Sequence, residues 1–196
     1  MSIFVYKKLT DDDTETLGKV VDSVRATDEP VYIIVENSRS FHLLDQAVYE
    51  KYSSGDGFIV SSLSSLGANS AEITGQLNIF IQHGIYLAIC DHYTTYIYGR
   101  DERTNMAVLQ TIAQSIAGST STSGSASHRK SAAGRPRAEF PDGWEELYRQ
   151  WSDKEISSGE FLKKSGLKKA TFYNMINEYR DMLKESEAFI RRYNAG

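Results

Sequence analysis

Four short apolar runs alternate with amphipathic stretches over residues 1–117, and this alternation restricts the possible folds more than any other feature of the chain. The runs are Ile3-Phe4-Val5-Tyr6, Val31-Tyr32-Ile33-Ile34-Val35, Phe58-Ile59-Val60 and Ile85-Tyr86-Leu87-Ala88-Ile89. Each has the length and β-branched or aromatic content of a strand. Between them lie stretches of helical period. Asp13 or Thr14 can cap a helix that presents Leu17, Val20, Val21 and Val24 on one face. A second, from about 42 to 51, turns Leu44, Ala47 and Val48 inward, and Gly55-Asp56-Gly57 ends it. A third follows the loop 61–69 with Ile73, Leu77, Phe80 and Ile81, closed by Gly84. The fourth, from about 104 to 117, carries Met106, Leu109, Ile112, Ala113 and Ile116. Strand–helix alternation predicts an α/β domain with a largely parallel sheet and flanking helices. The unbroken apolar run 31–35 suggests a strand in a sheet covered on both faces.

After residue 117 the pattern stops. Residues 118–133 are rich in Ser and Gly, offer nothing to bury, and read as a flexible linker. Gly134-Arg135-Pro136-Arg137 then forms a basic arm, and Trp144, Leu147, Tyr148 and Trp151 open a helical core. From Glu155 to Ile176 the chain reads as a helix, a turn at Gly166 and a second helix. Leu162, Leu167, Phe172 and Ile176 are spaced to share a buried seam. The expected organisation is therefore 1–117 as the α/β domain, 118–133 as linker, and 134–196 as a small all-α helix-turn-helix domain.

Charge is divided in the same way. Residues 1–126 hold 8 Lys+Arg against 15 Asp+Glu, and residues 127–196 hold 14 against 11. An acidic front followed by a basic tail suits a double-stranded DNA contact confined to the C-terminal part. Arg135 and Arg137 are placed in the minor groove, where guanidinium groups meet enhanced negative potential. Lys168, Lys169, Thr171 and Asn174 are placed in the major groove, and Lys163 and Lys164 on phosphates. The single cysteine, Cys90, rules out an intrachain disulfide and a cysteine-based zinc site. No apolar run has the length of a signal sequence or a membrane span, so a cytoplasmic protein with no membrane contact is expected.

The parts and their order resemble the resolvase/invertase family of small serine recombinases. Tyr6-Lys7-Lys8-Leu9-Thr10 stands where that family has Tyr-x-Arg-Val-Ser, and the segment from Phe58 to Asn69 is similar to its strand and loop ending Leu-Asp-Arg-Leu-Gly-Arg. The basic arm, the tryptophan helix and the segment from Ile156 to Tyr173 look like its DNA-binding domain. The resemblance implies a hydroxyl nucleophile that attacks a DNA phosphodiester, with arginines holding the charge on the phosphoryl group. It also implies a homo-oligomer formed through the N-terminal domain and a role in recombination or in regulating a mobile element.

The catalytic positions depart from that pattern. Thr10 replaces the serine and Lys8 a neighbouring arginine, exchanging a bidentate fork for a point charge. Ser64, Ser65 and Ala68 occupy the positions of Asp, Arg and Arg. Arg39 is the remaining arginine of the loop after the second strand, although His42 aligns there equally well. Ala113-Gln114 is followed by Ser115-Ile116-Ala117-Gly118 in place of the family's charged continuation. Loss of one charge-stabilising donor costs roughly 10²–10³ in rate. A DNA-binding protein with a silent recombinase domain is therefore expected, the alternatives being a divergent recombinase using Thr10 and a protein adaptor without DNA.

Other groups carry plainer readings. Asp11-Asp12-Asp13 suits the N-terminus of a helix better than a metal. His83, Asp91 and His92 read as surface residues at turns, and no cofactor or metal is expected. Tyr93, Tyr96 and Tyr98 are expected on a strand or ribbon. Ser62, Ser64 and Ser65 form a hydroxyl-rich loop without a base.

Overall fold

The computed structural model describes residues 1–11, 13–36, 41–51, 55–121 and 140–194. Arg39, Arg135 and Arg137, together with most of the expected linker, lie outside the described residues. The chain divides into two compact units, Met1–Ser123 with Glu185–Gly196, and Gly124–Lys184.

The first unit is α/β. Its strands β1 (Ile3–Lys8), β2 (Val31–Glu36), β3 (Gly57–Val60) and β4 (Tyr86–Ile89) form one sheet in the order β2-β1-β3-β4, every pairing parallel. The connections are helical: α1 (Thr14–Val24), α2 (His42–Gln46) with a π-helical continuation Ala47–Lys51, and α3 (Ser70–His83). The helix α4 (Glu102–Ser121) follows β4 and runs on through residues 118–121, where the serine-rich composition suggests linker. Asp13 caps α1 by accepting from the Thr16 amide at 2.9 Å, and Asn69 caps α3 through the Glu72 amide at 3.0 Å.

Period-two alternation sends the strand side chains to two separate cores. Phe4, Tyr6, Phe58, Val60, Leu87 and Ile89 meet Leu44, Leu77, Phe80 and Leu109 on one face. Ile3, Val5, Ile59 and Ala88 meet Leu17, Val20, Val21 and Val24 on the other. Cys90 lies in this second core, and burial pushes its thiol pKa up to about 12.

The sheet's two edges are finished differently. On β4 the outward backbone groups belong to Leu87 and Ile89. Asn105 accepts from the Leu87 amide (3.0 Å) and donates to its carbonyl (2.9 Å), as a neighbouring strand would. Thr95 Oγ1 accepts from the Ile89 amide (2.9 Å), and the His92 amide donates to the Ile89 carbonyl (2.8 Å). Residues 93–98 are thus a 3₁₀ turn (Tyr93–Thr95) with turns after it, not a strand, because Thr95 and its neighbours close the sheet. Among the described residues, the edge β2 has no such cover. The run 31–35 is the edge strand of a sheet covered on both faces: Tyr32 is 52 % exposed, while Ile34 and Ile33, partly buried, pack against the two opposite cores.

The last residues of the longest helix, α7 (Lys169–Asn194), also belong to this unit. Phe189 is buried with Leu17, Val20 and Val21. Tyr193 donates to the Gly18 carbonyl at 3.1 Å, and Arg192 pairs with Asp22 at 2.5 Å. A methyl group on Gly18 would lie 3.0 Å from the Arg192 guanidinium, so glycine permits the close approach.

The second unit is helical: α5 (Trp144–Ser152), α6 (Ser158–Ser165) and the first part of α7. Trp144 stands at its centre, 2 % exposed, with ring centroids 5.5 Å from Phe140, 4.8 Å from Phe161 and 6.0 Å from Phe172. Phe172, Met175, Ile176 and Tyr179 supply the α7 side. On α6 the buried apolar residue is Phe161, whereas Leu162 and Leu167, expected in the seam, are half-buried. The aromatic ring fills the space opposite Trp144 and turns the helix by one position.

Candidate nucleic-acid interface and the carboxyl end of the sheet

The end of α6 and the start of α7 are built to hold an exposed basic surface. A capping box starts α6: Ser157 Oγ accepts from the Glu160 amide (3.3 Å), and Glu160 accepts from the Ser157 amide (2.8 Å). These bonds hold the Glu160 carboxyl below the usual carboxylate range. Gly166 ends the helix at φ 66°, a left-handed conformation that costs glycine nothing and other residues strain. Leu167 and Lys168 complete the connection, and α7 begins at Lys169.

Lys163, Lys164, Lys168, Lys169 and Asn174 are all exposed, and Thr171 is half-buried. The first turn of α7 contains no acidic residue. Its unpaired amides carry positive partial charge, so backbone and lysines attract an anion together. Tyr173, 46 % exposed, stands one helical turn after Lys169 and beside Asn174. The pattern of basic residues does not mark Tyr173; its i, i+4 spacing from Lys169 is the signal that places the two on one face. Arg135 and Arg137 cannot be placed against this surface, since they lie outside the described residues.

In the α/β unit, the strand order reverses between β1 and β3, and the crevice above their carboxyl ends is where such sheets bind ligands. Thr10 lies there, exposed, in the turn after β1. Lys8 is held elsewhere. Its ammonium is 3.5 Å from Glu36 and 3.9 Å above the Phe41 ring, with its side chain only 11 % exposed. Glu36 also accepts from the Tyr6 hydroxyl at 2.5 Å, and burial with that carboxylate raises the Tyr6 pKa. Lys8 therefore braces β1 against β2 rather than standing free beside Thr10.

The hydroxyl-rich loop does have a carboxylate near it. Asp11 Oδ2 accepts from the Lys8 amide (2.8 Å), from Ser65 (3.2 Å) and from the Ser61 hydroxyl. Asp11 thus turns away from the helix N-terminus, which Asp13 caps, and ties the loop after β1 to the loop after β3. Sequence reading missed this contact because the two partners are far apart in the chain. Gly67 presses the second loop onto α3: a methyl group there would lie 2.7 Å from the Ile73 nitrogen. Ser64 and Ala68 are exposed, and Lys7 is buried with its ammonium 3.3 Å from Thr14. Asp91 and His92 pair with each other at 2.8 Å.

Compared with known proteins, the chain matches no family model and no curated sequence. Among the described residues, no helix is long and apolar enough to cross a membrane.

Proposed function

We propose that this protein binds duplex DNA through a helix-turn-helix formed by α6 and α7, with α7 as the recognition helix. The observation that carries the reading is the grouping of Lys163, Lys164, Lys168, Lys169 and Asn174, all exposed, around the Gly166 turn of a unit with a buried aromatic core. Lys168, Lys169, Thr171 and Asn174 face the major groove, and Lys163 and Lys164 meet phosphates. Arg135 and Arg137 act as a minor-groove arm. The α/β unit serves self-association, and the whole chain works in the cytoplasm, on the nucleoid, as a recombinase-like accessory or regulatory factor of a mobile element. Its parallel sheet in the order β2-β1-β3-β4 supports the resolvase-like part of this reading only at the level of architecture.

The binding reading is tested by titrating the chain onto random duplex at several salt concentrations. Lys169→Ala is expected to weaken binding, and a salt slope reduced by about one would mean that its ammonium also meets a phosphate. Affinity equal to that of the unaltered chain at every salt concentration would remove Lys169 from the interface. No duplex binding at low salt would favour the adaptor reading.

Strand cleavage by Thr10 is the competing reading. Thr10 is exposed, but Lys8 is engaged by Glu36 and Phe41, which leaves the hydroxyl without its nearest expected cation. On supercoiled DNA carrying a selected site, no protein–DNA adduct is expected on denaturing electrophoresis. An adduct that vanishes in Thr10→Ala would establish the recombinase instead.

A further inference from the structure

We infer that the β2 edge is a self-pairing surface, joining two copies of this chain through an antiparallel β2–β2 contact about Ile33. The Ile3 amide donates to Pro30 and the Leu9 amide to Glu36, so those carbonyls face β1. With the parallel register Ile3↔Val31, the alternate residues Tyr32 and Ile34 also direct their backbone groups to β1. The amides and carbonyls of Val31, Ile33 and Val35 therefore point outward. None of these groups has a hydrogen-bond partner among the described residues, in contrast to the closed edge at Leu87 and Ile89.

The strand is its own complement. A two-fold axis through Ile33 sets Ile33 opposite Ile33 of the second copy, and Val31 opposite Val35. In an antiparallel pair such residues exchange both bonds, so every outward N–H and C=O of the three finds a partner. Tyr32 then lies opposite Ile34, an aromatic–β-branched pair of the kind that stabilises sheets, and its 52 % exposed ring is covered. No charged residue falls within 31–35, and neither Lys nor Pro interrupts the edge there. Pro30 ends the pairing on one side without loss, because its carbonyl already serves Ile3. This symmetry of chemistry selects a second copy over an unrelated peptide.

The inference gives a surface to the self-association in the proposed function and rests on that part of it alone. Its test uses the full chain without DNA, so its failure leaves DNA binding untouched, and a chain that pairs but binds no DNA leaves the pairing intact. Sedimentation equilibrium is expected to show a dimer. Ile33→Pro removes an outward amide and no β1 bond, so it is expected to fold by circular dichroism and to sediment as a monomer. Tyr32→Lys and Tyr32→Glu, at a half-exposed position diagonal to its own copy, are each expected to be monomeric and to form a heterodimer when mixed. A native chain that is monomeric throughout, or charged variants that dimerise alone as well as mixed, overturns the inference. A folded Ile33→Pro that remains dimeric does the same.

Discussion

Trp144→Ala is expected to unfold the second unit, with a loss of about 3–5 kcal/mol. Such a loss is comparable to the whole stability of a small domain, typically about 5–15 kcal/mol. The indole is 2 % exposed, and the rings of Phe140, Phe161 and Phe172 all close on it. No other side chain of α5 is fully buried, so nothing on that helix can take over. Near-UV circular dichroism and amide exchange of residues 144–180 would report the change, and DNA binding should be lost with it. Trp144→Phe gives the opposite expectation. The indole Nε1 is buried without an acceptor among the described residues, so removing it takes away an unsatisfied donor while keeping most ring contact. An Ala variant that melts with the native chain would show that the helices are held by something other than this aromatic cluster.

The second large effect is expected from Asn105→Ala. Asn105 is 3 % exposed, accepts from the Leu87 amide, and donates to the carbonyls of Leu87 and Thr95 (2.7 Å). Truncation strands all three groups where water cannot easily reach, at roughly 1–3 kcal/mol for each group left unmade. The sum reaches several kcal/mol, more than the lost packing of a small side chain. Urea denaturation should show a lower midpoint with an unchanged slope. It should also leave β4 open to strand pairing, seen as aggregation below the transition. A midpoint within experimental error of the native value would mean that the β4 edge finds other partners.

The sheet and its helices were legible because local pattern dictated them. Period-two and period-3.6 apolar spacing, the Asp13 cap and the Gly84 and Gly166 stops lie within a few residues of the elements they define. Strand order was less so. Nothing in the run 31–35 tells an edge from a centre, since β1 presses on one side only in the folded chain. Tyr96 and Tyr98 have the spacing of a strand face but Tyr93 does not, and Thr95 is needed against Ile89, a requirement that is tertiary. The choice of Leu162 over Phe161 failed for a similar reason, because the space opposite Trp144 admits a ring. In the candidate interface, the Gly166 turn and the lysines on either side of it could be read locally. The Asp11–Ser61–Ser65 cluster could not, as it depends on β1 and β3 being neighbours.

Order along the chain and membership in space part company at Glu185. The serine-rich stretch invites a cut, yet a fragment ending there would lack Phe189, Arg192 and Tyr193, which lie on α1. Leu17, Val20 and Val21 would lose that cover, and the complementary fragment would carry Phe189 without its pocket. The front half of a simple bisection would lack part of its own interior, and the back half would carry a piece that belongs to the other unit. A faithful excision of the α/β unit has to bring the end of α7 with it, as a separate peptide or by joining it to α4. The terminus of this chain is structural material for its beginning.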